Sequence, residues 1–329
     1  MVKYNKKDYL QKKIIPFDVK SIKNVEDCLV KLQNCGFQGR NLGIALEILY
    51  KMTSNSNILT VLTLSGAMVP AGMGEIICTL IEYKLIDVII STGANIIHDL
   101  VDVFSDIGHF IGSSNVDDND LFQHRINRIY DVFLPEDNYK YAEKKILELI
   151  NEIYLEKEVK TTPSELLEKI GQKINKRCIL SLAAKKKVPI FIPAFTDSEL
   201  ALDLIMYSAK EGYNFQFDIL RDVQKFGDII KNAKETGTLI IGGGVPRNWA
   251  QQIFPLLDQL EGIKTFGYNY SVRIHTATEY DGGLSGCTLS ESKSWGKYSL
   301  DSKYISVWCD ATIALPLLIT GLLQRLKII

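Results

Sequence analysis

Asn57-Ile58-Leu59-Thr60-Val61-Leu62-Thr63-Leu64 runs directly into Ser65-Gly66-Ala67-Met68-Val69-Pro70-Ala71-Gly72. The first part carries no charge and is rich in aliphatic and β-branched residues, the pattern of a strand covered on both faces. The second part is a glycine-rich turn. Glycine lets the backbone approach a ligand closely, and a helix starting beyond it leaves N–H groups free for phosphate. The runs at Ile86–Ser91, Val188–Ile192, Thr238–Ile241, Thr265–Tyr270 and Tyr304–Trp308 read as further strands. Helical patterns with legible starts lie between them. Thr162-Pro163-Ser164-Glu165 is a capping box with proline at the first helical position, and Thr196-Asp197-Ser198-Glu199 offers a second box before Glu199–Lys210. The alternation predicts an α/β, Rossmann-like three-layer fold, a mainly parallel sheet with helices on both faces. Residues 1–56 are helical in pattern and are assigned to an N-terminal helical extension, leaving 57–329 as one catalytic domain. The polar stretch 112–137 breaks the rhythm and reads as an insertion over the sheet edge or at a subunit contact.

Lysine plus arginine (38) and aspartate plus glutamate (39) nearly cancel, so nothing marks a nucleic-acid or membrane-surface protein. The basic run Lys3, Lys6, Lys7, Lys12, Lys13 reads as a solvated segment. Cysteines at 28, 35, 78, 178, 287 and 309 form no Cys-x-x-Cys pair, so no metal site is expected and reduced thiols are. The longest apolar stretch, Thr312 to Leu323, holds a proline and is too short to span a bilayer, and no signal-peptide core precedes it. A soluble, cytoplasmic protein is expected.

In an open parallel sheet, ligands gather outside the carboxyl ends of the strands. The segments there are Gly66-Ala67-Met68, Thr92-Gly93-Ala94-Asn95 followed by His98, Thr196-Asp197, Gly242-Gly243-Gly244 and Cys309-Asp310. Any one of these is an ordinary turn; several at one edge predict a nucleotide site. The triple glycine does not satisfy G-x-G-x-x-G, Gly296-Lys297-Tyr298 is no P-loop, and Gly283–Cys287 misses G-x-S-x-G. Glu291-Ser292-Lys293-Ser294-Trp295-Gly296-Lys297 follows the acidic loop Thr276-Ala277-Thr278-Glu279-Tyr280-Asp281-Gly282-Gly283. A lysine amine is nucleophilic only when neutral, and burial against an aromatic face drives it toward that state. Carboxylates and an indole face also suit a cationic substrate. Read alone, the signal is weak, since most such strings are a solvated lysine after a packing tryptophan.

From Asn57 to Leu318 these motifs, in order, resemble the deoxyhypusine synthase family. The resemblance is carried by Ser91-Thr92-Gly93, Ile126-Asn127-Arg128-Ile129, Pro193-Ala194-Phe195-Thr196-Asp197, Gly242-Gly243-Gly244-Val245, Thr276-Ala277, Glu279-Tyr280-Asp281-Gly282, Ser294-Trp295-Gly296-Lys297 and Asp310-Ala311. It implies an NAD-dependent transferase. Spermidine gives up a hydride, a lysine captures its aminobutyl group as an imine, and an acceptor amine takes the group before reduction. The acceptor is a lysine of a hypusine-bearing translation factor or, in homospermidine synthases of the family, putrescine. The resemblance assigns imine formation to Lys297 and polyamine binding to Glu291, Trp295, Gly282 and Asn248. It assigns cofactor contacts to Gly66, Ala67, Met68, Thr92, Gly93, Ala94, Asp197, Gly243, Thr276, Ala277, Asp281 and Asp310. An aspartate at 197 suits the ribose hydroxyl of NAD. A homotetramer, a dimer of dimers with active sites shared across an interface, is likewise implied.

Four departures stand out. Asn248 replaces a family histidine, His98 a glutamate and Leu284 a polyamine-binding aspartate; a further aspartate falls at Leu202 or, with a slip, at Asp203. The region around Gly66–Gly72 and Gly93–Asn95 is similar to a prokaryotic deoxyhypusine-synthase-like branch. An amide cannot shuttle protons, so His98 is expected to take over part of the work lost at Asn248, against the alternative of a structural histidine. Competing readings are a homospermidine synthase-like enzyme and a non-catalytic NAD-binding paralogue.

Overall fold

The computed structural model describes residues 5–262 and 267–329; Lys3 and the Thr265–Phe266 part of one expected strand lie outside the described residues. Six parallel strands form the central sheet: β1 (Ile58–Leu64), β2 (Val88–Ser91), β3 (Ile190–Phe191), β4 (Glu235–Ile241), β5 (Tyr268–His275) and β6 (Tyr298–Trp308). Their spatial order is β6-β5-β4-β1-β2-β3. The chain starts in the middle, builds outward to β3, then returns beside β1 and builds the other way, which is the doubly wound order. β1 and β4 pair in unbroken register from Ile58↔Glu235 to Leu64↔Ile241. The strand succession reverses between their carboxyl ends, and loops leaving in opposite directions open a crevice there.

β1 shows why its sequence lacks charge. Leu62 and Leu64 join a large core with helices Phe37–Ser54 and Ala311–Arg325, while Val61 joins a second core with helices Ile219–Lys231 and Gly244–Glu261. Successive side chains point to opposite faces, and both faces are dry. The helices before β1 contribute to the larger core through Leu29, Leu42, Leu46, Leu49 and Met52.

Three boundaries differ from the sequence reading. β5 continues past Tyr270 through Arg273 to His275, because those polar residues are buried inside it (0% and 4% exposed). β6 begins at Tyr298, ahead of Tyr304, and a register irregularity opposite Tyr268 and Tyr270 accommodates its charged residues. Ser198, not Thr196, caps helix Glu199–Glu211 by accepting the Ala201 N–H; Thr162 caps Pro163–Lys173 as read. Within 112–137, Ile126–Ile129 and Val132–Pro135 form an antiparallel sheet with Phe110–Ile111, and two Arg128–Asp118 bonds of 2.6 and 2.7 Å tie helix Asp118–Gln123 to it. Among the described residues no helix is long and apolar enough to cross a membrane, and all six cysteines are free.

Candidate active site

Asn95, fully buried in the first turn of helix Gly93–Phe104, joins two strand-end loops. Its Nδ2 donates to Gly66 O (2.8 Å) and Thr92 Oγ1 (3.0 Å), and its Oδ1 accepts the Val69 N–H (3.1 Å). Gly66, Ala67 and Met68 after β1 are thereby pinned to Thr92, Gly93 and Ala94 after β2. Gly93 in turn packs on the loop after β3: a Cβ there would come within 2.2 Å of Ser198 Cβ, so only glycine lets the Asp197 loop approach. Across the β1–β4 crevice, Ser65 Oγ donates to Gly243 O at 2.5 Å. Thr276 and Ala277 leave β5 at the same edge. Asp310 follows β6 and caps helix Ala311–Arg325 by accepting the Thr312 N–H. Asp281 and Gly282 lie in the exposed loop between β5 and helix Leu289–Lys293.

This edge has the donor set that a dinucleotide needs. Helices Gly93–Phe104 and Gly244–Glu261 start there without side-chain caps, which leaves N–H groups for phosphate. Asp197 is exposed and its carboxylate makes no hydrogen bond among the described residues. A free carboxylate accepts from ribose hydroxyls and repels a ribose phosphate, so the residues fit NAD better than NADP.

Lys297 is not on that edge. It directly precedes β6, at the amino end of the sheet. Gly296 sits at φ +69°, a left-handed turn that a side chain disfavours. The turn sends Trp295 outward (64% exposed) and Lys297 inward (7%). Lys297 Nζ donates to Asn248 Oδ1 at 2.8 Å and lies 5.7 Å from the centre of the Trp295 ring. Asn248 comes from helix Gly244–Glu261 and Glu291 from the Thr288-capped helix Leu289–Lys293. Burial holds the amine below the usual lysine range, and the Arg247 charge acts the same way, opposed by Cys287 and Glu291. The amine is thus biased toward its nucleophilic form.

His98 stands apart from this cluster. Its Nδ1 is 2.9 Å from His109 Nε2, and His109 Nδ1 is 2.7 Å from Asp102 Oδ1. The carboxylate fixes the order of donors: His109 Nδ1–H donates to Asp102, His98 Nδ1–H donates to His109, and His98 Nε2 is left with a free lone pair. Burial, then His109, pushes His98 down to about 4, so it is neutral at physiological pH. Of the two positions considered for the remaining polyamine aspartate, Leu202 is exposed and Asp203 is buried; burial, with Glu199 and Glu143 adding to it, raises the Asp203 carboxyl to about 7. Leu284 is exposed.

Sequence reasoning placed Asn95 at a strand end without its bridging role, and missed His109, Arg247 and Arg273. Arg273 carried a usable signal, a charge between Val272 and Ile274 in a run otherwise typical of a buried strand. Arg247 carried none, since an arginine in the first turn of a helix is usually solvated.

The deoxyhypusine synthase family model matches residues 27–322. The chain is 41% identical over 291 residues to "Probable deoxyhypusine synthase 2" of Archaeoglobus fulgidus, covering 88% of this chain and 94% of that protein. It is 34% identical over 303 residues to the "Deoxyhypusine synthase-like protein" of Chlorobaculum tepidum, covering 90% and 85%. A crystal structure of a candidate deoxyhypusine synthase from Entamoeba histolytica superposes with a TM-score of 0.65 at 19% identity, over 94% of this chain and 96% of that one, and so shares the fold.

Proposed function

The chain belongs to the deoxyhypusine synthase family, which implies a transferase. We propose that it is NAD-dependent and moves the 4-aminobutyl group of spermidine, or a related polyamine, through an imine on Lys297 to an acceptor amine. The observation that carries this reading is a buried lysine amine held by the neutral Asn248 amide and biased toward its free-base form. NAD, held by the edge around Asp197, Thr92–Ala94, Gly66–Met68, Gly243, Thr276, Ala277, Asp281 and Asp310, would take up a hydride from the donor polyamine and return it to the product. Lys297 adds to the imine carbon left on the polyamine. The carbon–nitrogen bond to 1,3-diaminopropane breaks, and that amine leaves with a proton. The acceptor amine then adds to the Lys297 imine and Lys297 departs as a free amine. Glu291 and the Trp295 face hold the polyamine cation, with Gly282 assigned to the same task, and Asn248 orients the lysine. An acceptor amine arrives as ammonium and must lose a proton, a role assigned to His98 Nε2. His109→Gln removes the imidazole that, after burial, depresses His98, so the acidic limb of the pH–rate profile should shift upward; an unchanged profile rejects that role.

Asp197 follows β3 at one end of the sheet and Lys297 precedes β6 at the other. Five strand spacings of ~4.8 Å separate them by about 24 Å. Two copies related by a twofold axis can set the cofactor edge of one against Lys297 of the other. This supports the homotetramer with shared sites, and the exposed Val245, Leu284, Trp295 and Leu300 give it apolar surface to cover. Co-expressed Asp197→Ala and Lys297→Ala subunits should then recover roughly a quarter of wild-type activity, because half the dimers are mixed and each has one intact site. No recovery from folded, assembled subunits would place both residues in one protomer's site. The acceptor is a lysine of a hypusine-bearing translation factor or a small diamine such as putrescine. Supplying NAD and spermidine with either one, and measuring which gains mass, decides between them.

A further inference from the structure

We propose that Arg247, backed by Arg273, is the positioning residue of Lys297: it anchors the loop that carries the lysine and places an unpaired positive charge beside the amine. The inference rests on Lys297 being the nucleophile of the proposed reaction. Arg247 is 2% exposed. Its Nη1 donates to Cys287 O (2.6 Å), and its Nη2 donates to Ser292 Oγ (2.9 Å) and Thr288 O (3.4 Å). Ser292 O accepts the Lys297 backbone N–H at 3.2 Å. Asn248, the next residue on the same helix, accepts from Lys297 Nζ. One helical turn therefore grips the lysine at its backbone and at its amine.

Arg273 donates to the same Cys287 O (2.8 Å), to Gly242 O (3.0 Å) and to Ser285 O. Two guanidiniums share one carbonyl oxygen, and neither forms an ion pair with a carboxylate among the described residues. Neutral carbonyl and hydroxyl oxygens accept their Nη hydrogen bonds without cancelling their charge, and Arg247 Nε is buried with no partner among the described residues. Burial and the Arg247 charge pull Arg273 down to about 9, so the pair is under electrostatic tension. A hydrogen-bond anchor alone needs no such charge, whereas a charge facing a buried amine disfavours its protonation. The other groups facing Lys297 are the Cys287 thiol and the Glu291 carboxylate, which oppose Arg247, and the Trp295 ring. The adjacent Tyr298 hydroxyl accepts from Gln251 and is in hydrogen-bond contact with Ser271.

The test reads Lys297 directly. Acetic anhydride labels free amines, and peptide mass spectrometry across a pH series gives the pH of half-maximal labelling at Lys297, with Lys293 as internal reference. Wild-type Lys297 should reach half-maximum at lower pH than Lys293. Arg247→Met should raise the Lys297 midpoint by about one pH unit, which is roughly tenfold slower labelling at a pH below both midpoints. Arg247→Gln keeps a side-chain hydrogen bond and should shift it the same way, while Arg247→Lys restores the charge and should return it. Turnover in the methionine variant should fall through kcat with KM little changed. An unchanged midpoint in folded Arg247→Met or Arg247→Gln overturns the proposal. If neither folds, a wild-type midpoint equal to that of Lys293 does so. Absence of a borohydride-trapped imine in the wild type with NAD and spermidine would instead reject the proposed reaction, while the labelling still judges Arg247.

Discussion

Lys297→Ala is expected to abolish the borohydride-trapped adduct formed with NAD and spermidine and to lower turnover roughly a thousandfold or more, the scale of losing a covalent nucleophile. Lys297→Arg should be equally inactive, because a guanidinium stays protonated and cannot add to an imine carbon. Lys293→Ala is the control. Lys293 ends helix Leu289–Lys293 and its Nζ donates to Leu300 O in β6, and its loss should leave turnover within about threefold. Asn248→Ala separates orientation from chemistry: it removes the sole hydrogen-bond partner of Lys297 Nζ among the described residues but keeps the amine. Its kcat should fall by less than that of Lys297→Ala, and the trapped adduct should persist. A Lys297→Ala protein that still traps the aminobutyl group, or still turns over, ends the proposed mechanism.

The sheet was legible because its strands are buried on both faces and so carry uncharged runs. β1 and β2 read almost as they fold. Reading failed where polar side chains are buried inside a strand, Arg273 on carbonyl oxygens and His275 against the Trp308 ring. Arg273 and His275 belong to β5, yet look like the residues that follow a strand. The strand order was not legible, since β1 and β4 pair across a sequence gap that periodicity cannot bridge. The site was legible in two unequal parts. Turn residues such as Gly66, Gly93 and Gly243 stand at strand ends, where local pattern places them. The separation of Asp197 from Lys297 follows from the order of the whole sheet, and the pairing of His98 with His109 from the approach of the segment after helix Gly93–Phe104.

Asp99 should make stability fall as pH rises. Its Oδ2 accepts the N–H groups of Ile179 (2.9 Å) and Leu180 (3.4 Å), so helix Gly93–Phe104 caps the start of helix Ile179–Lys186. Burial pushes its carboxyl up to about 7, against those two N–H groups and Cys178, with Asp102 adding to the rise. Between the ordinary aspartate value and 7 the native protein holds a proton that the unfolded chain has lost. Asp99 therefore contributes most at low pH, and that contribution is lost through pH 7, by up to about 4 kcal/mol for three pH units. His98 has the opposite sign. Its native value is depressed to about 4, so stability falls as acid protonates the unfolded chain from about 6.5 downward. The two slopes oppose each other in the wild type, which makes the comparison with Asp99→Asn the informative one. Asparagine keeps an acceptor for the helix start but has no charge to desolvate. Relative to the wild type it should gain stability from pH 4.5 to about 7 in urea denaturation and level off above that, while Asp99→Leu, leaving two buried N–H groups unpaired, should lose about 1–3 kcal/mol for each of them. A stability difference between Asp99→Asn and wild type that stays constant across this range would show that the carboxyl titrates alike in both states, and the buried cap would then be an ordinary solvated one.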